Sequence, residues 1–197
     1  MQTIGIVGGI GAGKSTVVSL LCELRKCFVI GADEIGHKIL LKDDLAYDQV
    51  VKVFGQDILD EEGNIVRRKL GAIVFSDRTK LEQLNQITHP IIFREIKLLV
   101  DKCKAQGEWD LVIIDAALLI EIGLIPLTDY VLAIYTDEKT RLERLMKRDG
   151  FTKEQVLERI NKQKKWEELE KVSDFVIDNR YTRQHTKEQM IEMLDQL

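Results

Sequence analysis

The chain has 197 residues, 45% of them hydrophobic, which is enough for one α/β domain with a sizeable core. Its 29 basic and 33 acidic residues leave a net charge of −4, so we expect no nucleic-acid partner. No apolar run approaches the roughly 18 residues of a membrane span, and the three cysteines lack redox or metal-binding spacing. We therefore expect a cytoplasmic protein, a monomer, with no membrane partner.

The first apolar run, residues 4–7, is short and mostly β-branched, which predicts a buried strand. Apolar residues at helical spacing resume at Val17. The turn between them reads GGIGAGKST and matches the phosphate-binding pattern GxxxxGK[ST]. Its N–H groups and the start of the next helix favour an anion. The predicted nucleotide-binding residues are Gly9, Gly11, Ala12, Gly13, Lys14, Ser15 and Thr16.

The same turn has to be compared with the dinucleotide-binding fingerprint GxGxxG. Gly9 and Gly11 have the first spacing, but Lys14 stands at the third position. Gly11 and Gly13 fail likewise, because Thr16 stands where the third glycine belongs. The lysine therefore favours ATP, with Lys14 reaching the β- and γ-phosphates and Ser15 holding Mg²⁺.

Further apolar runs predict the rest of the sheet. They cover residues 28–30, 111–114, 130–135 and 175–177 and are separated by helical patterns. Together with the first run they predict a P-loop NTPase fold, with a five-stranded parallel sheet and helices on both faces. The gap between the second and third runs is too long for one crossover, which predicts a helical insertion over about 35–105. A kinase needs room for its second substrate, and this insertion is our candidate.

Two acidic residues follow predicted strands. Asp33 comes after the second run. It either takes a proton from an attacking hydroxyl or orders the water molecules of Mg²⁺, or it is the N-cap of the next helix, and one residue can do both. Asp115 follows four apolar residues, the form of a Walker-B strand, whose acid commonly helps to hold Mg²⁺.

Arg141, Arg144 and Arg148 share one face of a predicted helix, opposite Leu142, Leu145 and Met146. They form either a solvated face paired with glutamates or the cationic face of a lid over ATP. Asp149-Gly150 ends that helix, and a second helix is predicted over 153–171, with Arg159 and Gln163 in it. We place the lid at about 141–165.

His89 precedes Pro90, and the residue before a proline is disfavoured in helices. The pair therefore predicts a break between two helices. His89 either caps the first of them or faces the substrate.

In this order, these motifs resemble the dephospho-CoA kinase family, from residue 2 to about 180. The matching stretches are IGIVGGIGAGKST at 4–16, GADEIGH at 31–37, EGNIVRRKL at 62–70, LNQITHPII at 84–92, RLERLMKRDG at 141–150 and DFVIDN at 174–179. The resemblance implies ATP-dependent phosphorylation of the ribose 3′-hydroxyl of dephospho-CoA, the last step of coenzyme A biosynthesis, with Mg²⁺. It implies these roles: Asp33 for the acceptor hydroxyl, His37, Arg68 and His89 for dephospho-CoA, Lys14, Arg144 and Arg148 for transfer, and Asn179 near the adenine.

Two alternatives stay open at this point. One is a kinase of the same fold that acts on another small molecule or nucleotide. The other is a guanine-nucleotide switch, but the NKxD motif is absent, since Asn161-Lys162-Gln163 is followed by Lys164.

Overall fold

A computed structural model describes residues 1–197. Its five strands are β1 Gln2–Val7, β2 Cys27–Gly31, β3 Leu111–Asp115, β4 Tyr130–Tyr135 and β5 Phe175–Asp178. They form one parallel sheet in the order β2-β3-β1-β4-β5, which confirms the predicted fold class. The first strand thus lies at the centre of the sheet.

The register brings the carboxyl ends of the central strands together. Ile6 of β1 pairs with Asp115 of β3, and Val7 of β1 pairs with Ala133 of β4. Residues that follow these strands therefore emerge at one edge of the sheet, where open α/β sheets bind their ligands.

Nine helices accompany the sheet. They are α1 Lys14–Leu24, α2 Ala32–Lys38, α3 Tyr47–Phe54, α4 Arg67–Ser76, α5 Arg78–Gln106, α6 Glu138–Asp149, α7 Lys153–Asn161, α8 Trp166–Glu170 and α9 Arg183–Leu194. None of them combines the length and the apolar character needed to cross a lipid bilayer.

The chain divides into two compact units. The first comprises Met1–Ile30 and Val100–Leu197 and holds nearly the whole sheet, and the second comprises Gly31–Leu99. The second unit contains α2, α3, α4 and most of α5, and it overlaps the insertion predicted over about 35–105.

The core of the first unit lies between the sheet and the helices α1 and α9. Burial of these apolar side chains is the main force that fixes the sheet edge from which the site is built. The fully buried members from these elements include Ile4, Ile6, Val17, Leu20, Leu21, Ile113, Leu132 and Met190.

The predicted break at His89-Pro90 is wrong. Helix α5 continues through Pro90, although proline has no N–H to donate to the preceding turn. Buried side chains recur along one face beyond the proline, at Ile92, Ile96 and Val100, and their burial outweighs the lost hydrogen bond. His89 therefore does not cap a helix.

The single helix predicted over 153–171 is also wrong, because α7 ends at Asn161 and α8 begins at Trp166. The start of α8 is fixed by the Lys165 N–H, which donates to the side chain of Glu168 at 3.2 Å. Gln163 therefore lies in the connection, where its side chain reaches another part of the chain.

Candidate active site

The turn after β1 is a phosphate-binding loop whose shape depends on glycine. Gly11 and Gly13 have φ angles of 78° and 92°, in the left-handed region that other residues rarely adopt. Gly13 is the N-cap of α1, so the helix begins directly behind the loop at Lys14.

The backbone N–H groups of the loop fall into two sets. Those of Ile10 and Ala12 are used inside the protein, by Gln163 Oε1 at 2.7 Å and by the Gly9 carbonyl at 3.0 Å. Those of Gly11 and Gly13 donate to no protein acceptor. With the start of α1, this second set forms a site for an anion.

Lys14 is half-buried, and its Nζ donates to the Gly8 carbonyl at 2.9 Å. The ammonium group is therefore held beside the beginning of the loop. In loops of this kind, that position serves the β- and γ-phosphates.

A cleft of about 650 Å³ opens over the loop. Its volume lies within the range of small-molecule and cofactor sites. It is lined by the predicted residues Gly9, Gly11, Gly13, Lys14, Ser15, Thr16, Asp115, Arg144 and Arg148, together with Lys147, which no sequence signal singled out. Ala12, also a residue of the loop, is buried and does not line the cleft.

Helix α6 begins where its sequence favours it. Asp137 is the N-cap and accepts a hydrogen bond from the Thr140 N–H at 2.9 Å, which lowers the pKa of that carboxyl group. Leu145 is fully buried against Gly11, where a Cβ would lie 3.1 Å from the leucine side chain, a tight contact. The helix is thus packed directly on the phosphate-binding loop.

Arg144 is not part of the solvated face that was one alternative, whereas Arg148 is exposed and paired with a carboxylate. Arg144 Nη2 donates to the Asn179 carbonyl at 2.7 Å, and its Nη1 lies 3.4 Å from the Ala12 carbonyl oxygen. Arg148 is exposed and bonds both oxygens of Asp149, at 2.7 and 2.8 Å, which lowers the pKa of that carboxyl group. Met146, which was placed on the face opposite the arginines, is exposed.

Arg141 contacts the loop more closely than the sequence suggested. Its Nε donates to the Ile10 carbonyl at 2.8 Å and its Nη2 to Gln163 Oε1 at 3.0 Å. Burial lowers the pKa of this guanidinium. The helical spacing of the arginines identified Arg141, but no local pattern could reveal its partners.

Asn179, expected near the adenine, has its side chain inside the protein. Its Nδ2 donates to the Ala12 carbonyl at 2.8 Å, and its Oδ1 accepts from the Thr186 hydroxyl at 2.9 Å. The Thr136 hydroxyl also donates to the Ala12 carbonyl, at 3.1 Å. The amide of Asn179 therefore supports the loop from below and is not among the groups that line the cleft.

The two acidic residues have different settings. Asp115 is the last residue of β3 and lines the cleft, as expected for a Walker-B acid. Asp33 is the second residue of α2, whose N-cap is Gly31, so the N-cap alternative for Asp33 is wrong. Its carboxylate is exposed in the first helical turn, just beyond the carboxyl end of β2.

The residues predicted to hold the second substrate all belong to the second unit. His37 is exposed near the end of α2, Arg68 is exposed in the first turn of α4, and His89 is half-buried in the middle of α5. They thus lie on three different helices.

Comparison with known proteins decides the family. The family model described as dephospho-CoA kinase matches residues 2–184. The chain belongs to the dephospho-CoA kinase family. A dephospho-CoA kinase of Carboxydothermus hydrogenoformans is 42% identical, over 98% of this chain and 93% of its own. That of Aquifex aeolicus is 40% identical, over 100% of this chain and 98% of its own.

Solved structures agree with the family assignment. A Thermus thermophilus protein superposes with a TM-score of 0.82 at 29% identity, over 100% of this chain and 97% of its own. A dephospho-CoA kinase from Campylobacter jejuni gives 0.71 at 28% identity, over 98% and 96%. A shikimate kinase from Acinetobacter baumannii, with a TM-score of 0.54 and 16% identity over 100% and 94%, shares the fold alone.

These findings decide between the classes that the sequence left open. A dephospho-CoA kinase family member is a phosphotransferase, so the chain is a kinase. The guanine-nucleotide switch is set aside.

Proposed function

We propose that this protein transfers the γ-phosphate of ATP to the ribose 3′-hydroxyl of dephospho-CoA, giving CoA and ADP. The observation that carries the proposal is the phosphate-binding loop and its cleft, in a chain that matches the dephospho-CoA kinase family over residues 2–184.

The loop and α6 supply the groups that phosphoryl transfer needs. The unused N–H groups of Gly11 and Gly13 and the start of α1 take the inner phosphates, and Lys14 takes the β- and γ-phosphates. Arg144, Lys147 and Arg148 line the same cleft and add positive charge where negative charge develops on the transferred group.

The residues of the cleft also fit a magnesium ion. The Ser15 hydroxyl and the Asp115 carboxylate both line it, and oxygen ligands of this kind are those that Mg²⁺ prefers. When bound, the ion would neutralise negative charge on the phosphates. We assign Ser15 as its protein ligand and Asp115 as the acid that orders its water molecules.

Asp33 is our candidate for the group that orients or deprotonates the acceptor hydroxyl. Two facts support this role: its carboxylate is exposed, and it follows the carboxyl end of β2 directly. As an acid in the first turn of α2, Asp33 also interacts favourably with the helix dipole, a contribution to stability that Asp33→Asn separates from one to catalysis. His37, Arg68 and His89 stay our candidates for binding dephospho-CoA, and residues 141–165 for the lid.

We also propose that the protein is a cytoplasmic monomer. Free thiols at Cys22, Cys27 and Cys103 suit a reducing compartment, in line with a cytoplasmic enzyme. Size-exclusion chromatography with light scattering tests the expected monomer.

An acceptor panel tests the proposed reaction. ADP release is followed with ATP, Mg²⁺ and either dephospho-CoA, adenosine, AMP or shikimate, with Lys14→Ala as the inactive control. We expect the highest kcat/KM with dephospho-CoA. A higher kcat/KM with any of the other three acceptors would contradict the proposal.

A further inference from the structure

The Ile10 peptide of the phosphate-binding loop is held at both ends by side chains from outside the loop. Its N–H donates to Gln163 Oε1 at 2.7 Å, and its carbonyl accepts from Arg141 Nε at 2.8 Å. Arg141 Nη2 donates to the same Gln163 oxygen at 3.0 Å, which closes the arrangement. We refer to Ile10, Arg141 and Gln163 as the Ile10 clamp.

The neighbouring glycine shows how closely the clamp fits. A Cβ on Gly9 would lie 2.5 Å from Arg141 Nη2 and 2.7 Å from its Cζ, which is an overlap. The φ angle of Gly9 is not in the left-handed region. A side chain at this position would displace the guanidinium, so glycine leaves room for Arg141 as it is placed here.

Arg141 forms no hydrogen bond or close ion pair with a carboxylate, and Glu138 acts on its charge only from a greater distance. The half-buried guanidinium bonds only the Ile10 carbonyl and the Gln163 amide oxygen. A buried charge is costly unless its hydrogen bonds are satisfied. Gln163 thus fixes the orientation of Arg141 as well as that of the Ile10 peptide.

The clamp lies at one end of the loop. Lys14 Nζ, which serves the β- and γ-phosphates in loops of this kind, rests on the Gly8 carbonyl, two residues before Ile10. The start of α1, which serves the inner phosphates, lies at the other end. The clamp therefore fixes the part of the loop that meets the terminal phosphate.

The connection that carries Gln163 is itself anchored. Its neighbour Lys164 forms ion pairs with Glu168 at 3.5 Å and with Glu121 at 3.8 Å. Neither Gln163 nor Arg141 lines the nucleotide cleft. Any effect of Gln163 on the nucleotide must therefore pass through the loop.

We infer that Gln163 is a positioning residue for phosphoryl transfer. Through the Ile10 N–H and Arg141, it holds the loop in the conformation that receives the terminal phosphate of ATP. This inference rests on the proposed function only in that ATP is the donor, since it does not depend on which acceptor is used.

The test compares Gln163→Leu with Gln163→Glu. Leucine removes both acceptor contacts, whereas the glutamate carboxylate accepts from the N–H and from the guanidinium. For Gln163→Leu we expect kcat/KM for ATP to fall about tenfold or more, because a loop N–H loses its partner. The Kd of a non-hydrolysable ATP analogue should rise at least threefold more than the Kd of ADP. Gln163→Glu should recover most of both losses.

The matched control is Gln184→Leu, the same change at an exposed residue whose amide contacts only Glu188. It should leave all these values unchanged. Should Gln163→Leu fail to fold, Gly9→Ala displaces Arg141 and should give the same selective loss for the ATP analogue.

Three results would overturn the inference. They are equal losses for ADP and the ATP analogue, a lower melting temperature with wild-type kinetics, and a Gln163→Glu variant as impaired as Gln163→Leu. Because the two Kd values are measured without any acceptor, the test stands even if dephospho-CoA proves to be the wrong substrate.

Discussion

The buried amide of Asn179 offers a sharp test of how the phosphate-binding loop is supported. Replacing Asn179 by alanine removes the bond from its Nδ2 to the Ala12 carbonyl, at 2.8 Å, and the bond from the Thr186 hydroxyl to its Oδ1, at 2.9 Å. A hydrogen bond of this kind contributes about 0.5–1.5 kcal/mol. The expected loss is therefore about 1–3 kcal/mol in the free energy of unfolding.

The remaining partners set an upper limit to this loss. The Thr136 hydroxyl lies 3.1 Å from the Ala12 carbonyl oxygen, although its single proton has a closer acceptor in the Tyr135 carbonyl at 2.6 Å. The Thr186 hydroxyl can redirect its proton from Asn179 to the Thr182 carbonyl at 3.2 Å. Asn179→Ala therefore leaves an alternative partner within reach of both groups. Asn179→Asp, in contrast, turns a carboxylate oxygen toward the Ala12 carbonyl oxygen. It should lose more stability than Asn179→Ala, although it is the smaller change in shape.

Denaturant unfolding at pH 8 and calorimetric titration with ADP give the two values for each variant. We expect the order wild type, Asn179→Ala, Asn179→Asp in both stability and ADP affinity. Gln184→Ala, which truncates the amide of an exposed residue of α9 outside the loop and the lid, is the control and should match the wild type.

The opposite outcome is equally clear. If Asn179→Ala keeps wild-type stability and changes only the preference for ATP over GTP, the side chain contacts the adenine and does not support the loop. Our reasoning on the buried amide would then be refuted.

Four further predictions concern single side chains. Lys14→Ala should lower kcat for CoA formation by at least tenfold with a nearly unchanged melting temperature, and wild-type turnover would remove Lys14 from the proposed chemistry. Asp33→Asn should lower kcat by about 10²–10⁴-fold with little change in the Kd of ATP, and a fall in thermal stability alone would contradict the assignment. Arg148→Ala should lower kcat more than melting temperature, because its only carboxylate partner is the exposed Asp149, and an unchanged kcat would leave it a surface charge. Burial raises the pKa of the Cys27 thiol to about 12, so iodoacetamide at pH 8 should label the exposed Cys22 first, and peptide mass spectrometry showing the reverse order would contradict this.

The sheet could be predicted because each strand is a short apolar run, buried in the three central strands and partly exposed in the edge strands β2 and β5. The exact ends of the strands were harder to predict from the sequence. Sequence predicts β1 from residue 4, yet the strand starts at Gln2, because Thr3 is fully buried and its N–H donates to Asp129 Oδ2 at 2.7 Å. The pairing of this backbone N–H with a carboxylate 126 positions away has no local signature.

Two errors have the same physical origin. A residue before proline disfavours helical backbone angles, which is an effect of neighbouring residues only. In α5, the burial of Ile92, Ile96 and Val100 outweighs this effect. The helix predicted through Gln163 ends early, at Asn161, and Gln163 bonds the Ile10 N–H, 153 positions away. Local propensity gives way in both places to contacts between distant parts of the chain.

The candidate site was predictable to the extent that a motif carries it. The phosphate-binding loop and Asp115 follow from short patterns whose residue types have a direct chemical purpose. The contacts of Arg141, Arg144 and Asn179 with the loop carbonyls do not follow from any pattern. Every residue has a backbone carbonyl, so the sequence does not indicate which carbonyl accepts a hydrogen bond.

The most direct test of the proposed reaction follows the γ-phosphate of ATP to its acceptor. The purified protein is incubated with γ-³²P-labelled ATP, Mg²⁺ and dephospho-CoA, and the products are separated and analysed by mass spectrometry and ³¹P NMR. We expect one labelled phosphate on the ribose 3′-oxygen of CoA for each ADP formed. Label that appears only as inorganic phosphate, or on any other oxygen, would contradict it.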